Sequence, residues 1–70
     1  MDYNEIKEKL KDFVLEELEI AQMEDSTVED KLYARNRAYA ALQFVNNVIF
    51  SYDKELGDWW NNEIRSKFLE

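Results

Sequence analysis

Apolar side chains return every three or four positions over the first third of the chain. Tyr3, Ile6, Leu10, Phe13, Val14 and Ala21 fall on one stripe of a helix, with polar residues opposite. The spacing predicts a first helix over residues 3–24, with Glu5 and Lys9, and Glu8 and Lys11, placed for weak pairs across one turn. A polar run then intervenes. Within it, Ser26 stands three residues before Glu29 and Thr27 three before Asp30, so either can cap a second helix through hydroxyl and carboxylate.

The second helix is predicted to be long, residues 27–56, closed by Gly57 as a left-handed residue. At about 1.5 Å per residue it would extend about 45 Å. Its main stripe is Ala34, Ala38, Ala41, Leu42, Val45, Val48, Ile49 and Tyr52, and a second apolar edge holds Val28, Leu32, Tyr39 and Phe50, with Phe44 on another side. One antiparallel neighbour cannot cover a helix that apolar. Asp58 then reads as the cap of a short third helix over residues 58–68, with Trp60, Ile64 and Phe68 along its buried face, and a single helix bent at Gly57 is the alternative. Lys54 and Asp58 have pairing distance in sequence but would straddle the break at Gly57.

The expected fold class is therefore all-α: a single domain over residues 1–70, made of a long helical hairpin plus a short third helix and dimerising into a helical bundle. Composition agrees with this. The 70-residue chain has no Pro and one Gly, which leaves little to build hairpin turns, and 46% of its residues are hydrophobic, too many for a disordered chain. A core of this size is marginal alone, which favours a homodimer.

Charge narrows the function. Sixteen acids against nine bases leave a net charge of −7, which argues against direct binding of nucleic acid, since phosphate contacts need a basic face. No apolar run is long enough for a membrane span, and the N-terminal residues lack the pattern of a signal peptide, so a cytoplasmic location is expected. Without Cys or His, disulfides, thiol chemistry, zinc knuckles and the commonest general base and metal ligand are absent. No catalytic residue, cofactor or metal is expected.

Carboxylates are the remaining chemistry. Metal-dependent nucleotide hydrolysis is the catalytic alternative, because all-α nucleotide pyrophosphatases hold magnesium through glutamates on adjacent helices, and the chain offers Glu16-Glu17 and Glu55-Leu56-Gly57-Asp58. The spacing in the first helix is wrong for that chemistry, and no cluster of bases accompanies the acids. Glu17 lies on the apolar stripe of the first helix and needs a partner. Folding the hairpin around residues 25–27 sets Glu17 opposite Arg35, Ala21 opposite Lys31, Phe13 opposite Tyr39 and Leu10 opposite Leu42. A structural ion pair between Glu17 and Arg35 is the resulting expectation.

Two features suggest contact with another protein. Glu5, Glu8, Asp12, Glu16 and Glu19 make an acidic ridge on the outer face of the first helix, interrupted by Lys7, Lys9 and Lys11. Trp59 and Trp60 are adjacent, so their indoles point about 100° apart and cannot both enter one core. Trp60 is assigned to the core, and Trp59, with Glu8, Asp12, Glu16 and Glu19, to partner binding. The expected function is a small acidic, non-enzymatic protein-binding module that regulates or inhibits a basic partner protein, as compact cargo proteins of phages and mobile elements do. A structural self-assembling subunit is the other reading.

Overall fold

A computed structural model describes residues 2–70, and these form three helices. The first, α1 (Tyr3–Ala21), begins at Asp2, whose carboxylate accepts the Glu5 N–H at 2.9 Å. It buries Leu10, Val14 and Ala21 of the expected stripe together with Leu18, while Ile6 and Phe13 are half-buried and Tyr3 is exposed. It stops three residues short of the expected end. The Ser26 hydroxyl donates to the Ile20 carbonyl at 2.6 Å and the Lys31 ammonium to the Ala21 carbonyl at 2.5 Å. Both satisfy carbonyls that another helical turn would have used, and the cation sits at the negative end of the helix dipole.

The second helix, α2 (Val28–Phe44), opens with the predicted capping box. Asp30 N–H donates to Thr27 Oγ1 at 3.1 Å, and Thr27 N–H to Asp30 Oδ2 at 3.0 Å. Ala34, Ala38 and Leu42 are its buried residues, and the two alanines let neighbouring backbones approach closely. One π-helical turn, Val45–Ile49, prolongs α2, and the chain then leaves the helix at Phe50.

This end corrects the expected helix over residues 27–56. The break lies at residues 50–53, and Gly57 does not close a helix: it is inside α3 (Lys54–Trp59) and has no positive φ. Asp53, not Asp58, is the cap, accepting the Leu56 N–H at 3.1 Å. The cause is a set of contacts that helical spacing does not reveal. Asn46 is buried and holds Asp53 through its side-chain amide, with Asn46 Oδ1 accepting the Asp53 N–H at 2.5 Å. The Phe50 ring stacks on Tyr3 of α1 with centroids 4.2 Å apart.

α3 continues through a π-helical turn, Trp60–Ile64, into a 3₁₀ turn, Arg65–Leu69. Leu56, Trp60, Ile64 and Phe68 are all buried. Residues four apart drift around an ordinary helix of 3.6 residues per turn, and the wider π turn takes up part of that drift. Trp60 packs tilted against both Phe68 and Tyr39, at 5.7 Å in each case. The core is thus shared by all three helices, with α3 laid across one face of the α1–α2 hairpin. Among the described residues no helix is long and apolar enough to cross a membrane.

Candidate functional site

The acidic ridge is fully on the surface, since Glu8, Asp12, Glu16 and Glu19 are all exposed. Leu15, also exposed, sits among them in a shallow depression with Asp12, Glu16 and Glu19. Two of the lysines expected to interrupt the ridge are drawn away from it. Lys7 pairs with Asp53 at 3.1 Å and Glu55 at 3.3 Å, and Lys11 pairs with Glu55 at 3.8 Å, all across to the start of α3. The expected pairs Glu5–Lys9 and Glu8–Lys11 are not among the ion pairs of the described residues. Lys7 is drawn to Asp53 because that carboxylate is buried, where a cation is worth more than on a solvated helix face, whereas the Lys11 contact is with the exposed Glu55.

Trp59 is half-buried and packs against the core, while Trp60 is in it. The Lys11 ammonium lies over the Trp59 ring, 5.3 Å from its centroid, so a cation–π contact covers part of the indole. What remains open forms a shallow surface with Lys54, Asp58, Asn62 and Glu63. Lys11 separates this indole from the ridge, and the two surfaces adjoin along α1.

Glu17 is buried, with 4% of its surface exposed, and its charge is compensated, but by Arg37 at 3.0 Å rather than Arg35. The register near the turn is as expected, since Lys31 does reach Ala21. Arg35 and Arg37 flank the line of Ala34 and Ala38 on opposite sides of α2. α1 lies on the Arg37 side, and Arg35 faces the α2–α3 cleft with Tyr39 and Trp60. The position of the third helix, absent from a two-helix register, selects the partner.

Sequence reasoning missed the polar junction around Asp53. Tyr3 donates its hydroxyl to Asp53, Lys7 adds a charge-assisted contact, and Leu56 N–H a third bond. The Tyr3 hydrogen bond is the main reason the Asp53 carboxyl is held down at about 2, against the opposing effect of burial, with Leu56 N–H and Lys7 assisting. The same contact pushes the Tyr3 hydroxyl up, and Asp53 likewise raises the Lys7 ammonium. The one local signal was Tyr3 and Lys7, one turn apart on α1. This junction joins helices and is a structural feature.

The acids of the hydrolase alternative are dispersed. Glu16 points to solvent, Glu17 is bound to Arg37, Glu55 to Lys7 and Lys11, and Asp58 to Lys54 at 2.5 Å within α3, with no helix break between the last two. Among the described residues no three such side chains are grouped to hold a metal ion.

The hairpin face opposite α3 is uncovered and apolar. Tyr33, Ala40, Phe44 and Val48 follow one side of α2, with Tyr33 66%, Phe44 56% and Val48 67% exposed. Ile20 and Met23 of α1 border Tyr33 and the Glu17–Arg37 pair at one end. The Arg37 guanidinium lies 5.8 Å from the Tyr33 ring centroid. The class defined here is a small three-helix protein with an acidic outer helix and exposed apolar residues along the second helix. Comparison with family models, with curated proteins and with solved structures finds no match.

Proposed function

We propose that the protein is a non-enzymatic protein-binding module, acting as a regulator or inhibitor, that works as a homodimer. The observation that carries this reading is the bare face of Tyr33, Phe44 and Val48, more than half exposed on a helix that also supplies the core. An apolar strip of this kind, with Arg37 between Tyr33 and Phe44, supports an interface on so small a chain, because a monomer would leave it in water. A second copy buries the strip in a four-helix arrangement of two hairpins. The acidic ridge and the Trp59 surface lie elsewhere and stay free for a basic partner in the cytoplasm, with the ridge speeding encounter and the indole slowing release.

Sedimentation equilibrium tests the dimer. The expected result is a dimer that Phe44→Glu converts to a folded monomer, with a concentration-dependent melting temperature only in the parent protein. A parent chain that stays monomeric at about 100 µM overturns it. Affinity capture from the source cells tests the partner surface. One protein should be retained by the parent chain and lost with Asp12→Lys combined with Glu16→Lys, and lost again with Trp59→Ala. Retention by both folded variants overturns the assignment of the surface.

A further inference from the structure

Two of the three arginines have no use in the fold as described so far. Arg37 is bound to Glu17, whereas Arg35 and Arg65 are in no ion pair among the described residues. Both line one cleft of about 250 Å³ between α2 and α3, together with Asn36, Tyr39, Trp60 and Asn61. No acid is among these six, in a chain whose net charge is −7. Arg35 is also partly buried, which costs solvation that no countercharge returns.

The chemistry of the lining selects a ligand. Guanidinium groups offer planar forks that grip oxyanions through paired hydrogen bonds. Tyr39 and Trp60, 5.7 Å apart and tilted, give the cleft an aromatic wall. The side-chain amides of Asn36 and Asn61 can donate or accept. The volume lies below the roughly 300–1,000 Å³ of pockets for drug-sized ligands, and holds one anionic group with one ring. A phosphate monoester carries a charge of about −1.5 to −2 at neutral pH, which two guanidinium groups neutralise; a carboxylate leaves one of them unbalanced.

We infer that the α2–α3 cleft binds a phosphate monoester borne on a single planar ring, with Arg35 and Arg65 on the phosphate and the ring against the exposed Tyr39, which the buried Trp60 backs. The surrounding segment favours an anion despite the acidic chain, because residues 31–50 contain Lys31, Arg35 and Arg37 and no acid. The ligand can be a free aryl phosphate or a phosphotyrosine side chain in a peptide, since both carry a phosphate monoester on a single aromatic ring. The site is separate from the ridge and from the bare hairpin face, so it does not depend on the proposed protein-binding role.

Nuclear magnetic resonance of ¹⁵N-labelled protein tests it, read at the Trp60 indole N–H and the Arg35 and Arg65 Nε–H. Phenyl phosphate is the probe, with inorganic phosphate and phenol as its two halves. Saturable shifts are expected with phenyl phosphate, about tenfold or more tighter than with either half. Arg35→Gln with Arg65→Gln should weaken binding by about tenfold or more at an unchanged melting temperature. Asn61→Asp provides a second variant, placing a carboxylate on exposed α3 at the rim, and should also weaken binding. Equal response to all three probes, or affinity that survives Asn61→Asp in the folded protein, overturns the inference. Free O-phosphotyrosine and a short phosphotyrosine peptide then name the source: one should match or exceed phenyl phosphate, and weaker binding by both overturns the site.

Discussion

The side chain of Asn46 takes over the backbone of Asp53: Oδ1 accepts the Asp53 N–H at 2.5 Å, seven residues further along the chain. Asp53 in turn receives the Leu56 N–H, the Tyr3 hydroxyl and the Lys7 ammonium. One buried amide therefore ends α2, starts α3 and ties both to α1. Asn46→Ala strands the Asp53 N–H in a buried site and should cost about 1–3 kcal/mol. The exposed neighbour Asn47, whose amide bonds only to Gln43 one turn back, should change stability by less than about 0.5 kcal/mol when replaced by Ala. Urea unfolding of the two variants makes the comparison, and similar losses would remove Asn46 from this role.

Acid should unfold the protein through Asp53. Its carboxyl is held at about 2 in the fold, below the ordinary 3.8, so the folded form binds protons more weakly than the unfolded chain. The stabilisation from Asp53 is thus complete above about pH 4 and is lost as pH falls through about 2. Asp53→Asn should flatten the urea midpoint between those limits. Tyr3→Phe should raise the Asp53 pKa in a carbon-detected titration, because it deletes the hydrogen bond that contributes most to the depression.

Arg37→Ala leaves Glu17 buried without its cation and is expected to cost about 2 kcal/mol. Arg35→Ala breaks no ion pair and should cost less than about 0.5 kcal/mol. Replacing Glu17 and Arg37 together by Leu and Met should recover most of the loss. If thermal unfolding ranks Arg35 above Arg37, α2 is rotated relative to this structure.

Gly57 separates two accounts of the chain. As a left-handed helix stop it would resist substitution, since L side chains disfavour that conformation. Inside α3 it has an ordinary helical backbone, and an added Cβ would meet only the end of the exposed Tyr52 side chain, at 2.8 Å from Oη. Tyr52 can swing aside, so Gly57→Ala should stabilise the protein by about 0.5 kcal/mol. Destabilisation by more than about 1 kcal/mol would count against the observed break at residues 50–53.

Local chemistry carried much of this fold. The stripe of Leu10, Val14 and Ala21, the Thr27–Asp30 capping box and the Trp60, Ile64, Phe68 face were all legible, because helical periodicity and caps involve residues only three or four apart. The acidic ridge was legible for the same reason: side chains on the outer face of a helix need no neighbour to place them. The end of α2 was not. Asn46 looks like one more polar residue on a helix, and its effect depends on Tyr3, Phe50 and Asp53, which meet only when α1 and α3 pack together. The partner of Glu17 was decided in the same way. Arg35 and Arg37 are equally near in sequence, but they stand on opposite sides of Ala34 and Ala38, and α3 occupies the side of Arg35. Periodicity sets which residues share a face of one helix; the packing of a third helix sets which of two faces meets which neighbour, because burial and charge pairing are properties of all three together.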